Sequence, residues 1–389
     1  MRKTICMLLI FVLVLSFCSC GKKDFSKMSI EEKVEYRISE MTIEEKIAQM
    51  MIVYYTGDSV DDTLLSVIRS VKPGGFILTA DNITTYEKTK SFVQSLQENS
   101  EIPMIISIDQ EGGLVQRLSC LTDVTPTNIP NMLSVGNFND TQFSYNIGKV
   151  MAEELRTIGV NLTFAPVVDV LPQNGESFIG TRSFGSNVEI VSSMSTAIAK
   201  GLEENGIIAT YKHFPGHGDT TTDSHTSLPV VCKTKDELFS NELIPFENAI
   251  KNNAKIIMIG HIALPEIIGD STPASLSKEI VTDLLKTEMG FNGLVVTDAL
   301  NMGALTNEYS YEEIYVKSIE AGVDLLLMPN GSKKAIEIIK QNVSEERIDQ
   351  SVRKILNFKY TYLEQELILD KSYLGSDEHK KIAELNSLK

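Results

Sequence analysis

A chain of 389 residues with 36 basic and 52 acidic side chains, net −16 at neutral pH, is long enough for one large domain or two ordinary ones. That acidity, with no basic stripe anywhere, weighs against nucleic-acid binding and says little more than solubility. At 42% hydrophobic and 23% charged residues, the composition is that of a soluble globular protein.

The first twenty residues depart from it. Met1-Arg2-Lys3-Thr4 precedes an apolar run from Ile5 to Phe17, and Cys18-Ser19-Cys20-Gly21 follows. A basic start, an apolar stretch too short to span a bilayer comfortably and a small residue before the break describe an export signal. The arrangement resembles a bacterial lipoprotein signal with Cys20 as the lipidated residue, because Ser19 precedes Cys20 whereas bulky Phe17 precedes Cys18. An ordinary signal peptide that happens to contain cysteine is the alternative. On the first reading residues 1–19 are removed, residues 20–29 form a polar tether, and the chain is exported and lipid-anchored outside the cytoplasmic membrane or on the periplasmic side of an envelope. Loss of Arg2 and Lys3 with no acid moves the net charge from −16 to near −18. Beyond the signal only Cys120 and Cys232 remain, without metal-ligand spacing, and both are expected as buried or half-buried thiols.

A helical lead-in is expected over residues 30–50. From there, short apolar β-branched runs alternate with helical patterns. The runs cover residues 51–54, 75–79, 104–109, 162–170, 207–212, 256–261, 294–298 and 325–328, and each is near-continuously apolar, as strands covered on both faces are. Helices are expected at 87–98, 144–158, 188–205, 235–252 and 278–288. Eight alternations match a (β/α)8 TIM barrel, with its active site at the C-terminal ends of the strands, better than a doubly wound sheet. No Gly-x-Gly-x-x-Gly follows any run, which weighs against a dinucleotide cofactor. A charged amphipathic helix over about 344–366 is expected outside the barrel, so residues 30–389 read as one domain.

Chemistry gathers at the ends of the runs. The third ends in Asp109-Gln110-Glu111-Gly112-Gly113 and then Arg117. A carboxylate, paired glycines and a guanidinium suit a sugar-binding rim, because carboxylates accept from vicinal hydroxyls and guanidinium supplies forked donors. A structural Asp–Arg turn is the alternative. The fourth run carries Asp169, as suited to holding loops as to touching ligand, and Arg182 follows as a second rim donor. The fifth delivers Lys212 and His213, then a loop with His217, Asp219, Asp223, Ser224 and His225; three of the chain's five histidines fall in that window. Asp223 two residues before His225 can orient the imidazole and raise its proton affinity. The seventh run ends in Asp298, a costly place for a carboxylate unless it is used or paired. His261, at the sixth, either lines the pocket or is satisfied under the loops. His379 reads as a solvated residue of the tail.

The 14 residues from Lys212 to His225, with the Asp109–Arg117 segment, resemble the signature of the β-N-acetylglucosaminidases of glycoside hydrolase family 3, the NagZ type. Supporting matches are Met41–Met50, the Lys72-Pro73-Gly74-Gly75 turn and Arg347–Arg353. The resemblance implies a retaining hydrolase with Asp298 as nucleophile and an Asp223–His225 dyad in place of the usual second carboxylate. It further implies that Asp109, Arg117, Arg182, Lys212 and His213 grip the sugar and its 2-acetamido group. Phe214 to Asp219 would be a mobile neck hinged at Gly216 and Gly218. Two-domain β-glucosidases of the family add a second α/β domain for which there is no room, and tend to show Asp-Trp where this chain has Asp298-Ala299. The expected substrate is terminal GlcNAc of muropeptides or related β-glucosaminides, acted on by a monomer without cofactor or metal. The rivals are a β-glucosidase-like relative, a phosphorylase, a zinc hydrolase using the loop histidines, and a non-enzymatic sugar-binding lipoprotein.

Overall fold

The computed structural model describes residues 25–364 and 368–384; the signal and Cys20 lie outside these residues. Eight parallel strands form one sheet: β1 Met51–Val53, β2 Gly75–Leu78, β3 Ile105–Ile108, β4 Leu162–Thr163, β5 Ile208–Phe214, β6 Ile256–Ile259, β7 Leu294–Thr297 and β8 Leu326–Leu327. Neighbours in space are neighbours in sequence, and β8 pairs back with β1 through Met51–Leu326 and Ile52–Leu327. A bridge between Val296 and Leu325 closes β7 onto β8, so the sheet is the expected barrel. Every residue of these eight strands is buried, which is why they read as largely apolar runs instead of alternating ones.

Three elements differ from expectation, each for a local reason. The fourth run is a strand only over Leu162–Thr163, because Pro166 has no N–H to give the ladder; beyond it, Ala165 and Pro166 accept from Thr210 and Lys212. The lead-in is two helices, Ile30–Glu40 and Ile43–Gln49, split where Thr42 caps the second by exchanging hydrogen bonds with Glu45. The helix expected at 235–252 breaks into Lys235–Ser240 and Ile244–Lys251, with Pro245 opening the second. The charged helix forms as Glu345–Tyr362 and packs against Ile30–Glu40 outside the barrel. Among the described residues no helix is long and apolar enough to cross a membrane.

Two expectations are overturned. Cys232 is exposed, while Cys120 is half-buried. His379 is not solvated but 3% exposed, with Nε2 2.9 Å from Glu153 and Nδ1 3.3 Å from Glu154. Burial alone would lower its pKa, yet the two carboxylates outweigh it and hold the pKa above the usual histidine value. These contacts pin the last described helix, Asp377–Ala383, onto Thr141–Thr157.

Lys359, at the inner face of the long C-terminal helix, is fully buried with the Gln49 amide oxygen 2.8 Å from Nζ. Burial pushes its pKa down to about 7 from 10.5. Between those values the unfolded chain holds a proton that the folded one releases, so stability rises with pH across that window and the full penalty falls below it. Lys359→Met is therefore expected to stabilise the protein at pH 6 by about 2 kcal/mol, after the lost bond to Gln49 is counted. Denaturant unfolding at pH 6 and pH 10 checks this, and a gain equal at both would sink the idea.

Candidate active site

At the C-terminal mouth of the barrel, β3 and β5 present opposite charges to one another. Lys212, near the end of β5, is 3% exposed and places Nζ 2.9 Å from Asp109 and 2.5 Å from Glu111. Glu111 lies in a hairpin of Gln110–Gly112 with Val115–Gln116 just past β3. Its carboxylate also receives a fork from Arg182, Nε to Oε2 and Nη2 to Oε1, both at 2.8 Å. Burial would raise the pKa of Glu111, but Lys212 and Arg182 hold it far below the ordinary carboxylate range. Burial works against charged Lys212 as well, and there Asp109 and Glu111 prevail and raise its pKa. Charge-assisted bonds thus fix each head group of the network.

A second carboxylate orders the start of the following loop. Asp169 is buried and accepts from the His213 ring Nδ1 (2.7 Å), from the His213 N–H (3.3 Å) and from the His217 N–H (2.7 Å). Burial pushes the Asp169 carboxyl up, and the fields of His213 and His217 with these bonds bring it below its usual value. His213 Nε2 then faces Arg182 Nη2 at 3.5 Å. His217 is a neutral strut: its Nδ1 lies 2.5 Å from Thr220 Oγ1, whose own hydroxyl donates to the His217 carbonyl, and its Nε2 meets Ser224 Oγ at 3.3 Å. Burial and the neighbouring His213 bring its pKa down to about 4. The expected mobile neck is seated firmly in this arrangement. Residues 214–218 are buried and clamped by Asp169, and at Gly218 a Cβ would lie 1.9 Å from the Val170 carbonyl, so glycine there serves close approach.

Past the neck the chain emerges. His225 is exposed, and its Nδ1 stands 2.7 Å from Asp223 Oδ1, which also accepts the His225 N–H at 2.9 Å. This pairing fixes the tautomer: Nδ1 carries the proton toward Asp223, and Nε2 is left to exchange one. Burial works upward on the Asp223 carboxyl, and the His225 bonds bring it below its usual value. The Phe178 ring lies 6.3 Å from the His225 ring and 5.9 Å from that of His217, joining the exposed imidazole to the buried ones.

Asp298 follows β7 directly and is only partly exposed. Its N–H donates to Ile259 of β6 at 2.9 Å, and its Oδ1 accepts from the Ala299 N–H at 2.7 Å. The next peptide unit is held as well, because His261 Nε2 donates to the Ala299 carbonyl (3.1 Å) while Ser275 satisfies Nδ1 (2.8 Å). His261 is therefore a satisfied histidine that orients the Asp298 segment. Burial favours neutral Asp298, but the fields of His213, His261 and Lys212 overcome it and the pKa falls below 3.8. A carboxylate kept ionised on the barrel floor can attack an electrophilic carbon, and an imidazole backed by a carboxylate can pass a proton.

Lys212, Asp109, Arg182 and His213 are brought into one network, and Asp298 feels the charges of Lys212 and His213. Arg117 opens a short 3-10 turn, Arg117–Cys120, half-exposed and outside the ion-pair network among the described residues. Glu111 carries that network, although attention to the sequence falls on Asp109 beside it. The available signal was its place between a strand end and two glycines. Among the described residues no three His, Cys, Asp or Glu side chains converge so as to hold a metal ion.

Comparison with known proteins supplies the context. The glycosyl hydrolase family 3 N terminal domain matches residues 42–358. Beta-hexosaminidase A of Pseudoalteromonas piscicida is 30% identical over 394 residues, covering 88% of this chain, which spans 65% of that relative's length. The beta-hexosaminidase of Psychromonas ingrahamii is 32% identical over 295 residues, 74% of this chain and 85% of its own. The family 3 beta-N-acetylglucosaminidase structure from Paenibacillus sp. strain FPU-7 superposes with a TM-score of 0.82 at 32% identity, over 88% of this chain and 68% of that one.

Proposed function

Since the chain belongs to glycoside hydrolase family 3, we propose that it is a retaining exo-β-N-acetylglucosaminidase. The observation that carries this reading is the separation of two groups with opposite proton habits: a floor carboxylate, Asp298, kept ionised, and an exposed imidazole, His225, backed by Asp223. Asp298 forms a bond to the anomeric carbon as the bond to the leaving oxygen breaks, and His225 Nε2 gives that oxygen its proton. A water then enters; His225 takes its proton, the hydroxyl bonds to the anomeric carbon, and the Asp298 ester bond breaks. Asp109, Lys212, Arg182, His213 and Arg117 bind the hydroxyls and the acetamido group of the sugar. Arg182 spends Nε and Nη2 on Glu111, which leaves Nη1 for ligand.

The natural substrate in this reading is a muropeptide with terminal GlcNAc, met outside the cytoplasm by a monomer anchored through lipidated Cys20. The beta-hexosaminidase names of the relatives support the N-acetyl sugar.

The test compares turnover of aryl β-N-acetylglucosaminide and aryl β-glucoside, with and without inorganic phosphate. The expected outcome is at least about a tenfold preference in kcat/KM for the N-acetyl sugar, unchanged by phosphate. Tight sugar binding without turnover of either would reject the enzyme in favour of a binding protein, and phosphate-dependent release would make it a phosphorylase.

A further inference from the structure

The loop carrying Asp223 and His225 is seated on the chain that follows Asp298. Three consecutive carbonyls of the loop are taken by that segment: Ser224 accepts from the Ala304 N–H at 3.1 Å, His225 from the Gly303 N–H at 3.0 Å, and Thr226 from Asn307 Nδ2 at 2.9 Å. Gly303 and Ala304 open the one-turn helix Gly303–Thr306, whose first N–H groups have no acceptor within the helix. The loop supplies the acceptors. Space at Gly303 is set by the same contact, because an added Cβ would lie 2.7 Å from the His225 carbonyl and 2.9 Å from that of Thr226.

The roots of the loop are tied separately. Lys233 reaches Asp219 at 2.8 Å and Glu242 at 2.5 Å, drawing the two ends of the loop together. Nearer the roots, Thr220 accepts from the Phe178 N–H and Pro229 and Val231 pair with Ala263, so the backbone around His225 itself is held by the segment that follows Asp298.

The geometry points to Gly303 and Asn307 as positioning residues for the acid/base: they seat the His225 backbone at a fixed height relative to Asp298, five residues earlier in the same segment. This rests on the reading of His225 as the group that protonates the leaving oxygen. Neither residue touches substrate. Gly303 acts by leaving room for the His225 carbonyl while donating to it, and Asn307 acts by holding the next peptide. If the crest lifts, Asp298 stays ionised and in place, and proton transfer is what suffers.

Leaving-group chemistry separates this role from a merely structural one. A dinitrophenol leaves without a proton, whereas a simple phenol needs one, so loss of the acid slows phenyl β-N-acetylglucosaminide and spares the dinitrophenyl substrate. Gly303→Ala and Asn307→Ala are each compared with the unaltered protein and with His225→Ala on both substrates. Asn307 is exposed, so its truncation leaves the core intact and guards against a folding artefact in Gly303→Ala. The expected result is a fall in kcat/KM of about tenfold or more on the phenyl substrate and within about twofold on the dinitrophenyl one. Equal losses on both substrates, or none on either, overturn the inference. Absence of the split in His225→Ala itself overturns the acid/base reading, and with it any need for a seat; the split in His225→Ala but in neither seat variant overturns the seat alone.

Discussion

Asp298→Asn is expected to cut kcat/KM on an aryl β-N-acetylglucosaminide by about 10⁴-fold or more, the scale on which enzymes lose a covalent nucleophile. Asparagine keeps the shape and still offers an oxygen to the Ala299 N–H, which Asp298 holds at 2.7 Å. It has no charge to form the glycosyl ester, so the loss is chemical and not conformational. Burial would raise the carboxyl, but the fields of His213, His261 and Lys212 with the Ala299 N–H bring it below its usual 3.8, an arrangement with no structural need, since a neutral side chain there would cost less. The sign for pH follows. The nucleophile must be ionised, its folded pKa is lowered, and so its protonation limits activity only below about pH 3.8. Any acid limb seen at higher pH belongs to another group. Steady-state rates across pH, with sugar binding by the variant as the folding control, check both statements; retention of more than about 1% of activity by Asp298→Asn would remove it from the nucleophile's role.

The barrel was legible because burial on both faces leaves only one kind of sequence. Residues 256–259, all Ile and Met, have no polar face to show, and a carboxylate such as Asp298 breaking that monotony at a strand end is conspicuous. Boundaries set by caps were legible too: Thr42 with Glu45 is a capping box, and only its place inside a helical pattern hid the break at Met41. What escaped depends on distance along the chain. His379 finds Glu153 and Glu154 at separations of 226 and 225 residues, so nothing near it in sequence marks it as buried. At Gly218 the local sequence shows glycine's freedom and not the Val170 carbonyl that leaves no room for a side chain. Glu111 sits beside Asp109 in a run of polar residues, and only the inward turn of the hairpin tells the two apart.

That turn makes Glu111 the most consequential residue outside the chemistry. Replacing it by leucine leaves Lys212, 3% exposed, with Asp109 as its remaining ion-pair partner, and strips both forks from Arg182. Removing one member of a buried ionic network leaves uncompensated charge in a poor solvent, and the expected loss is about 3–5 kcal/mol of stability. Glutamine is the milder test: its amide oxygen in the place of Oε1 still accepts from Lys212 and Arg182 Nη2, but the charge and the Oε2 acceptor for Arg182 Nε are lost. Glu111 has a folded pKa far below its ordinary 4.5, so its stabilisation is fully present above that value and is lost only as pH falls through the much lower folded one. Glu111→Leu should therefore be most destabilised, relative to the unaltered protein, at neutral pH, with the gap narrowing in strong acid. Denaturant unfolding at pH 7 and at about pH 3 measures the gap. The same variant bears on the sugar site. Lys212 and Arg182 without Glu111 are free to swing, so KM should rise even where the fold survives at low temperature. A small stability change together with an unchanged KM would mean that Asp109 alone suffices to fix Lys212, and that the hairpin beyond β3 is ornament to the site.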